Sequence, residues 1–143
     1  MEIQLQQLFV YGSLRSGFKH PAYEYISRYF NLVGKAKVKG KMYDMGNFPA
    51  AIACTDPAYI AGELYVLKDS RQFSWAFEQL DDYEGVHGEE NEPPMYVRAI
   101  SDVYMYNETI STAWIYWYNG NISNKPFIAS GDILEYIKQK SKF

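Results

Sequence analysis

The chain has 143 residues, 14 Lys+Arg against 17 Asp+Glu for a net charge of −3, and 17% aromatic residues that include 14 tyrosines. That length suits one domain, residues 1–143, whose core is large enough to fold without disulfides or a structural metal. The charge balance and the lack of a long basic block argue against nucleic acid as the main partner, and a lone Cys54 with two histidines offers neither a disulfide nor a zinc-type ligand set. The first seven residues lack the basic start and apolar run of an export signal, and no segment approaches the roughly 18 apolar residues of a membrane span. The expectation is a cytoplasmic protein with a small-molecule partner, no membrane and no cofactor.

Residues 8–10 form an apolar run that ends at Tyr11 and breaks at Gly12-Ser13, the pattern of a buried strand delivering the chain into a tight turn. Gly12 has no Cβ and lets a ligand approach the backbone, and the N–H groups that follow can point at an anion. An ordinary core strand with an ordinary turn explains the same residues. A nucleotide loop does not, because Gly17 is followed by Phe18-Lys19 rather than Lys then Ser or Thr.

Residues 16–30 carry Phe18, Ala22, Tyr25, Ile26 and Tyr29 at helical spacing. Residues 35–43 alternate Lys35, Lys37, Lys39 and Lys41 with Ala36, Val38, Gly40 and Met42, which predicts a strand with one solvated face. Residues 44–49 have turn chemistry, with Pro49 ending regular pairing. Residues 59–67 read as a core strand interrupted at Gly62. A helix then starts near Asp69 or Ser70, with Ser70 as N-cap, and presents Phe73, Ala76, Phe77 and Leu80 on one face before ending near 80–83. Residues 95–106 and 109–118 form a hairpin about Asn107-Glu108. Residues 119–125 are loop, and 132–140 form a last helix.

Three groups of residues carry possible chemistry. Asp81, Asp82 and Glu84 cluster where a helix stops, and they read as a solvated helix end, a general acid/base or a cation site. A calcium loop needs further oxygen ligands at fixed spacing, which are lacking, so no metal is expected. Glu84, between Tyr83 and Gly85, stands apart because apolar surroundings there would raise a carboxyl pKa from about 4.3 towards neutrality and make a usable base. Tyr96 and Arg98 share a strand face, and Arg98 is either a carboxylate anchor or a structural counter-ion. Tyr116 and Tyr118 also share a face. His20 and His87 have no Ser or Cys motif beside them, which leaves a hydrolase triad without support, and Cys54 reads as a small buried apolar residue.

Taken in order, residues 9–15 (FVYGSLR), Gly40-Lys41-Met42-Tyr43-Asp44-Met45-Gly46 with Phe48-Pro49-Ala50, Gly62-Glu63-Leu64-Tyr65, residues 80–85 and Tyr96-Val97-Arg98 resemble the gamma-glutamylcyclotransferase-like family. The likeness spans most of the chain and is to small gamma-glutamylamine cyclotransferase-like members. It implies an α+β fold, a small mixed β-barrel with short packed helices and a pocket at its mouth. It also implies that Tyr11, Gly12, Ser13 and Leu14 hold the α-carboxylate of a gamma-glutamyl substrate through backbone N–H groups. Glu84 would be the acid/base, and Tyr96, Arg98 and Tyr116 are further substrate-binding candidates. The reaction implied closes the substrate's α-amine on its γ-carbonyl to give 5-oxoproline and a free amine, without cofactor or protein nucleophile. A non-catalytic module that binds an acidic or gamma-glutamyl metabolite is the alternative. Selectivity for the leaving group is expected in residues 86–94 and 119–130.

Overall fold

A computed structural model describes residues 6–11, 21–46, 49–55, 57–84 and 96–140. In chain order the elements are β1 (Gln7–Val10), α1 (Pro21–Tyr29), β2 (Phe30–Asp44), β3 (Pro49–Ala53), β4 (Tyr59–Leu67), α2 (Phe73–Glu84), β5 (Tyr96–Met105), β6 (Ile110–Tyr118) and α3 (Ile133–Lys140). Five strands close a mixed barrel in the order β2-β4-β1-β6-β5, with β5 returning to β2 and β3 pairing on the C-terminal part of β2. β1 runs antiparallel to β4 and parallel to β6, with Leu8 opposite Trp114. The remaining junctions of the barrel are antiparallel.

Strand alternation divides the apolar residues between two clusters. Phe9 and Tyr11 of β1 join Ala36, Val38, Met42, Ile60, Leu64, Val103, Ala113 and Ile115 in the barrel core, against which α3 lays Ile133, Leu134 and Tyr136. Leu8 and Val10 face the other way and, with Tyr65, Leu67, Tyr96 and Tyr116, pack beneath Ile26 of α1 and Ala76, Phe77 and Leu80 of α2. β1 is thus buried on both faces, which is why its sequence is a continuous apolar run rather than an alternation. The lysine row of β2 alternates as expected, with Ala36, Val38, Gly40 and Met42 buried and the lysines exposed or half-exposed.

Several boundaries differ from the sequence-based expectation for identifiable reasons. β2 begins at Phe30, not at 35, because Phe30, Asn31 and Leu32 pair with Leu67, Val66 and Tyr65. Cross-strand pairing creates these strand residues, although Leu32 and Val33 are largely exposed. Of the helix expected over 16–30, residues 21–29 are helical, Phe30 belongs to β2, and 16–20 lie outside the described residues. Pro49 starts β3 opposite Asp44 rather than ending pairing, since the first residue of a strand can dispense with a ladder N–H. The helical segment opens with one 3-10 turn, Ser70–Gln72, capped by Asp69 and not by Ser70. The Asp69 carboxylate accepts from the Arg71 backbone and side chain, and these bonds hold it below its ordinary pKa. The hairpin turns at 106–109, where Glu108 takes φ 71°. Asp132 caps α3 through the N–H of Leu134 at 3.0 Å. Cys54 is half-buried rather than buried.

Gly62 does not interrupt β4, since it pairs with Ala36 inside the continuous register that runs from Gly34–Leu64 to Lys39–Tyr59. Its role is close approach. A Cβ there would lie 2.2 Å from the Val10 carbonyl oxygen and 2.5 Å from Phe9 Cζ. Backbone and a buried ring cannot yield cheaply, so Gly62→Ala is expected to destabilise the fold by about 3 kcal/mol, read from the urea midpoint at unchanged m-value.

Candidate active site

Residues brought to the ends of β1 and α2 meet through Tyr116. Its backbone carbonyl accepts a hydrogen bond from the Tyr11 hydroxyl, inside the barrel. On the opposite face of β6 its own hydroxyl donates to Asp81 Oδ1 at 2.8 Å. Register explains the second contact. Arg98 sits directly opposite Tyr116, and both side chains rise on the face covered by α2. Arg98 Nε donates to the same Asp81 Oδ1 at 2.9 Å, so one carboxylate oxygen joins α2, β5 and β6.

The guanidinium lies against two adjoining aromatic rings, 4.6 Å from the Trp114 centroid and 5.2 Å from that of Phe77. Such packing over ring faces stabilises a cation and fixes its plane. Arg98 Nη1 is buried with no hydrogen-bond partner. Tyr96, one pleat along on the same face, stacks edge-on against Tyr118 at 5.7 Å. Asp81 is only 7% exposed. A carboxylate at a helix C-terminus opposes the helix dipole, and the adjacent guanidinium offsets that cost.

Among the described sequence-based candidates, Tyr11, Tyr116 and Arg98 therefore belong to one connected cluster, with Tyr96 beside it. Glu84 is the last residue of α2, one turn beyond Asp81, and its side chain lies outside the described residues, as do Gly12, Ser13 and Leu14. Arg98 is paired with an internal carboxylate, and the hydroxyl hydrogens of Tyr11 and Tyr116 are engaged by protein oxygens. Of the two expected selectivity segments, 86–94 lies outside the described residues. In the other, Phe127 bridges Tyr43, and Ile128 N–H donates to the Met42 carbonyl at 2.8 Å.

Two acids prove buried. Asp81, which the sequence left open between a solvated helix end, a general acid/base and a cation site, lies by helical spacing from Phe73 and Phe77 on the buried stripe of α2. Glu63, at 6% exposure, shares a β4 face with Tyr65, whose hydroxyl donates to Glu63 Oε1 at 3.1 Å. Strand alternation places it on the helix-covered face with Tyr65 and Leu67. Among the described residues no group of His, Cys, Asp and Glu is arranged to hold a metal ion, and no helix is long and apolar enough to cross a membrane.

The chain belongs to the gamma-glutamyl cyclotransferase, AIG2-like family, whose model matches residues 8–135. A Methanocaldococcus jannaschii protein named provisionally as a gamma-glutamylcyclotransferase is 28% identical over 133 residues, covering 92% of this chain and 98% of its own. The fold matches YkqA of Bacillus subtilis with TM-score 0.71 at 24% identity, over 98% of this chain but 44% of that one, so the chain spans less than half of YkqA. An uncharacterised Pyrococcus horikoshii protein matches with TM-score 0.64 at 20% identity, over 96% and 97% of the two chains. An AIG2-like protein from Mus musculus matches with TM-score 0.60 at 20% identity, over 82% and 79%. The small mixed barrel with short helices is thus the fold that the sequence resemblance implied.

Removing one partner of a buried pair leaves the other charge uncompensated. Arg98→Ala is therefore expected to destabilise the protein by about 3 kcal/mol, a loss that denaturant titration would measure directly.

Proposed function

We propose that the protein is a gamma-glutamyl cyclotransferase that converts a gamma-glutamyl amine or amino acid to 5-oxoproline and the free amine. The observation that carries this reading is the Tyr11–Tyr116–Asp81 connection. It ties Tyr11, the residue before Gly12, to the last turn of α2, which ends at Glu84. Those are the two segments on which the reaction would depend.

In this reading the backbone N–H groups of Gly12, Ser13 and Leu14 hold the substrate α-carboxylate. Glu84 takes a proton from the α-ammonium, whose pKa is about 7.7–8.0, because only the free amine attacks. The amine nitrogen bonds to the γ-carbonyl carbon, and the tetrahedral centre then collapses by breaking the bond to the leaving nitrogen. That nitrogen departs with the proton that Glu84 returns, and the ring nitrogen, which attacked carrying two hydrogens, gives up one of them to the departing amine, so that a lactam N–H and an ammonium result. Tyr11, Tyr96, Arg98 and Tyr116 shape and support the pocket, with Tyr11 and Tyr116 acting through the hydrogen bonds they already make. Folding the substrate so that amine meets carbonyl supplies the largest share of the rate, since oriented intramolecular reactions reach effective molarities of about 10⁵–10⁸ M. No metal or organic cofactor is required by these steps.

The test is mass-spectrometric detection of 5-oxoproline over a panel of gamma-glutamyl amino acids, dipeptides and amines. Wild type is expected to release it, and Glu84→Gln to lower kcat by about 10²–10⁴. Binding of a panel compound without turnover by either protein would favour the non-catalytic binding module instead.

A further inference from the structure

Asp81 and Arg98 lie outside the chemical steps above, yet the fold carries this charged pair beneath α2. We infer that the Asp81–Arg98–Tyr116 cluster is a latch that fixes the last turn of α2, and so positions Glu84. This inference rests on the proposed reaction for its catalytic consequence, though not for its structural one.

The argument begins with what apolar packing leaves undetermined. Ala76, Phe77 and Leu80 bury α2 against the barrel wall, but such contacts are non-directional and tolerate small rotation or sliding of a helix end. One residue beyond Leu80 stands the buried Asp81. Its Oδ1 receives two directional bonds, from Tyr116 Oη at 2.8 Å and Arg98 Nε at 2.9 Å, whose donors stand on neighbouring strands in register. Both donors are themselves held. The guanidinium rests against the adjoining rings of Trp114 and Phe77, and Tyr116 is anchored at its carbonyl by Tyr11. Two bonds from fixed donors to one oxygen set the rotation and the height of the helix end together.

A well-packed apolar residue at position 81 would serve stability as well as the ion pair does, because burying charge costs desolvation. Direction is what the pair adds. It also leaves Arg98 Nη1 buried without a partner, a cost consistent with placement taking precedence over full hydrogen bonding. Asp81 and Arg98 are therefore positioning residues, acting through the helix end that carries Glu84.

Two variants and two measurements test the latch. Asp81→Asn removes the charge and keeps the shape, and Tyr116→Phe removes one bond and keeps the ring. Amide hydrogen exchange is expected to speed up by about tenfold or more in residues 80–84 of both, while residues 73–77 change much less. Exchange unchanged at the helix end, or accelerated equally along all of α2, would overturn the latch, and Tyr116→Phe supplies this result if Asp81→Asn does not fold. In turnover, kcat of Asp81→Asn is expected to fall about 100-fold with KM within threefold of wild type. A raised KM at wild-type kcat would overturn the positioning role. If wild type makes no 5-oxoproline, the proposed reaction fails, while the exchange pattern still decides the latch.

Discussion

Burial of β1 on both faces is the constraint on which the rest of the structure depends. One strand must close the barrel by pairing antiparallel with β4 and parallel with β6, and also form the floor beneath α1 and α2. Four consecutive residues meet this demand by alternation, with Leu8 and Val10 towards the helices and Phe9 and Tyr11 towards the core. The neighbouring strand must give way where the backbones crowd, and Gly62 does so against Val10. The same geometry brings the end of β1 beside β6 and under the C-terminal end of α2.

Among the described residues, the buried carboxylates of this apolar interface are met by neighbouring donors. Glu63 is met by Tyr65, and Asp81 by Arg98 and Tyr116. Each pairing follows from strand or helix periodicity. Tyr65 is two residues from Glu63 and therefore on the same face, while Arg98 and Tyr116 are cross-strand neighbours. The cluster around Asp81 lies within a wall of Phe77, Trp114, Tyr96 and Tyr118, where electrostatic interactions are less screened than in water.

Much of the architecture was readable from pattern because solvent exposure imposes period on the residues. The lysine row of β2, the Phe73–Phe77–Leu80 stripe of α2 and the hairpin about Asn107-Glu108 all announce themselves locally. Elements without such contrast were misjudged. Residues 30–32 became strand through pairing with β4 despite exposure of Leu32, and the register skips the exposed Val33. Gly62 looked like an interruption because a missing side chain reads the same whether it marks a break or a close approach. Asp81 was left open for a similar reason: its charge was compatible with solvent, although its helical phase put it on the buried stripe.

By itself, the sequence determined the two-faced burial of β1, the phases of the helices, the hairpin and the ordered set of motifs that marks the family. These are encoded in short-range spacing, and short-range spacing is what a linear chain displays. Which residues meet across the barrel was decided only by tertiary structure. Arg98, Tyr116 and Asp81 are far apart along the chain, and either a substrate anchor or an internal counter-ion was compatible with Arg98 on its strand. Strand register and the docking of α2 placed a carboxylate within hydrogen-bonding distance of the guanidinium. Long-range contacts of that kind depend on barrel closure, which no local pattern specifies.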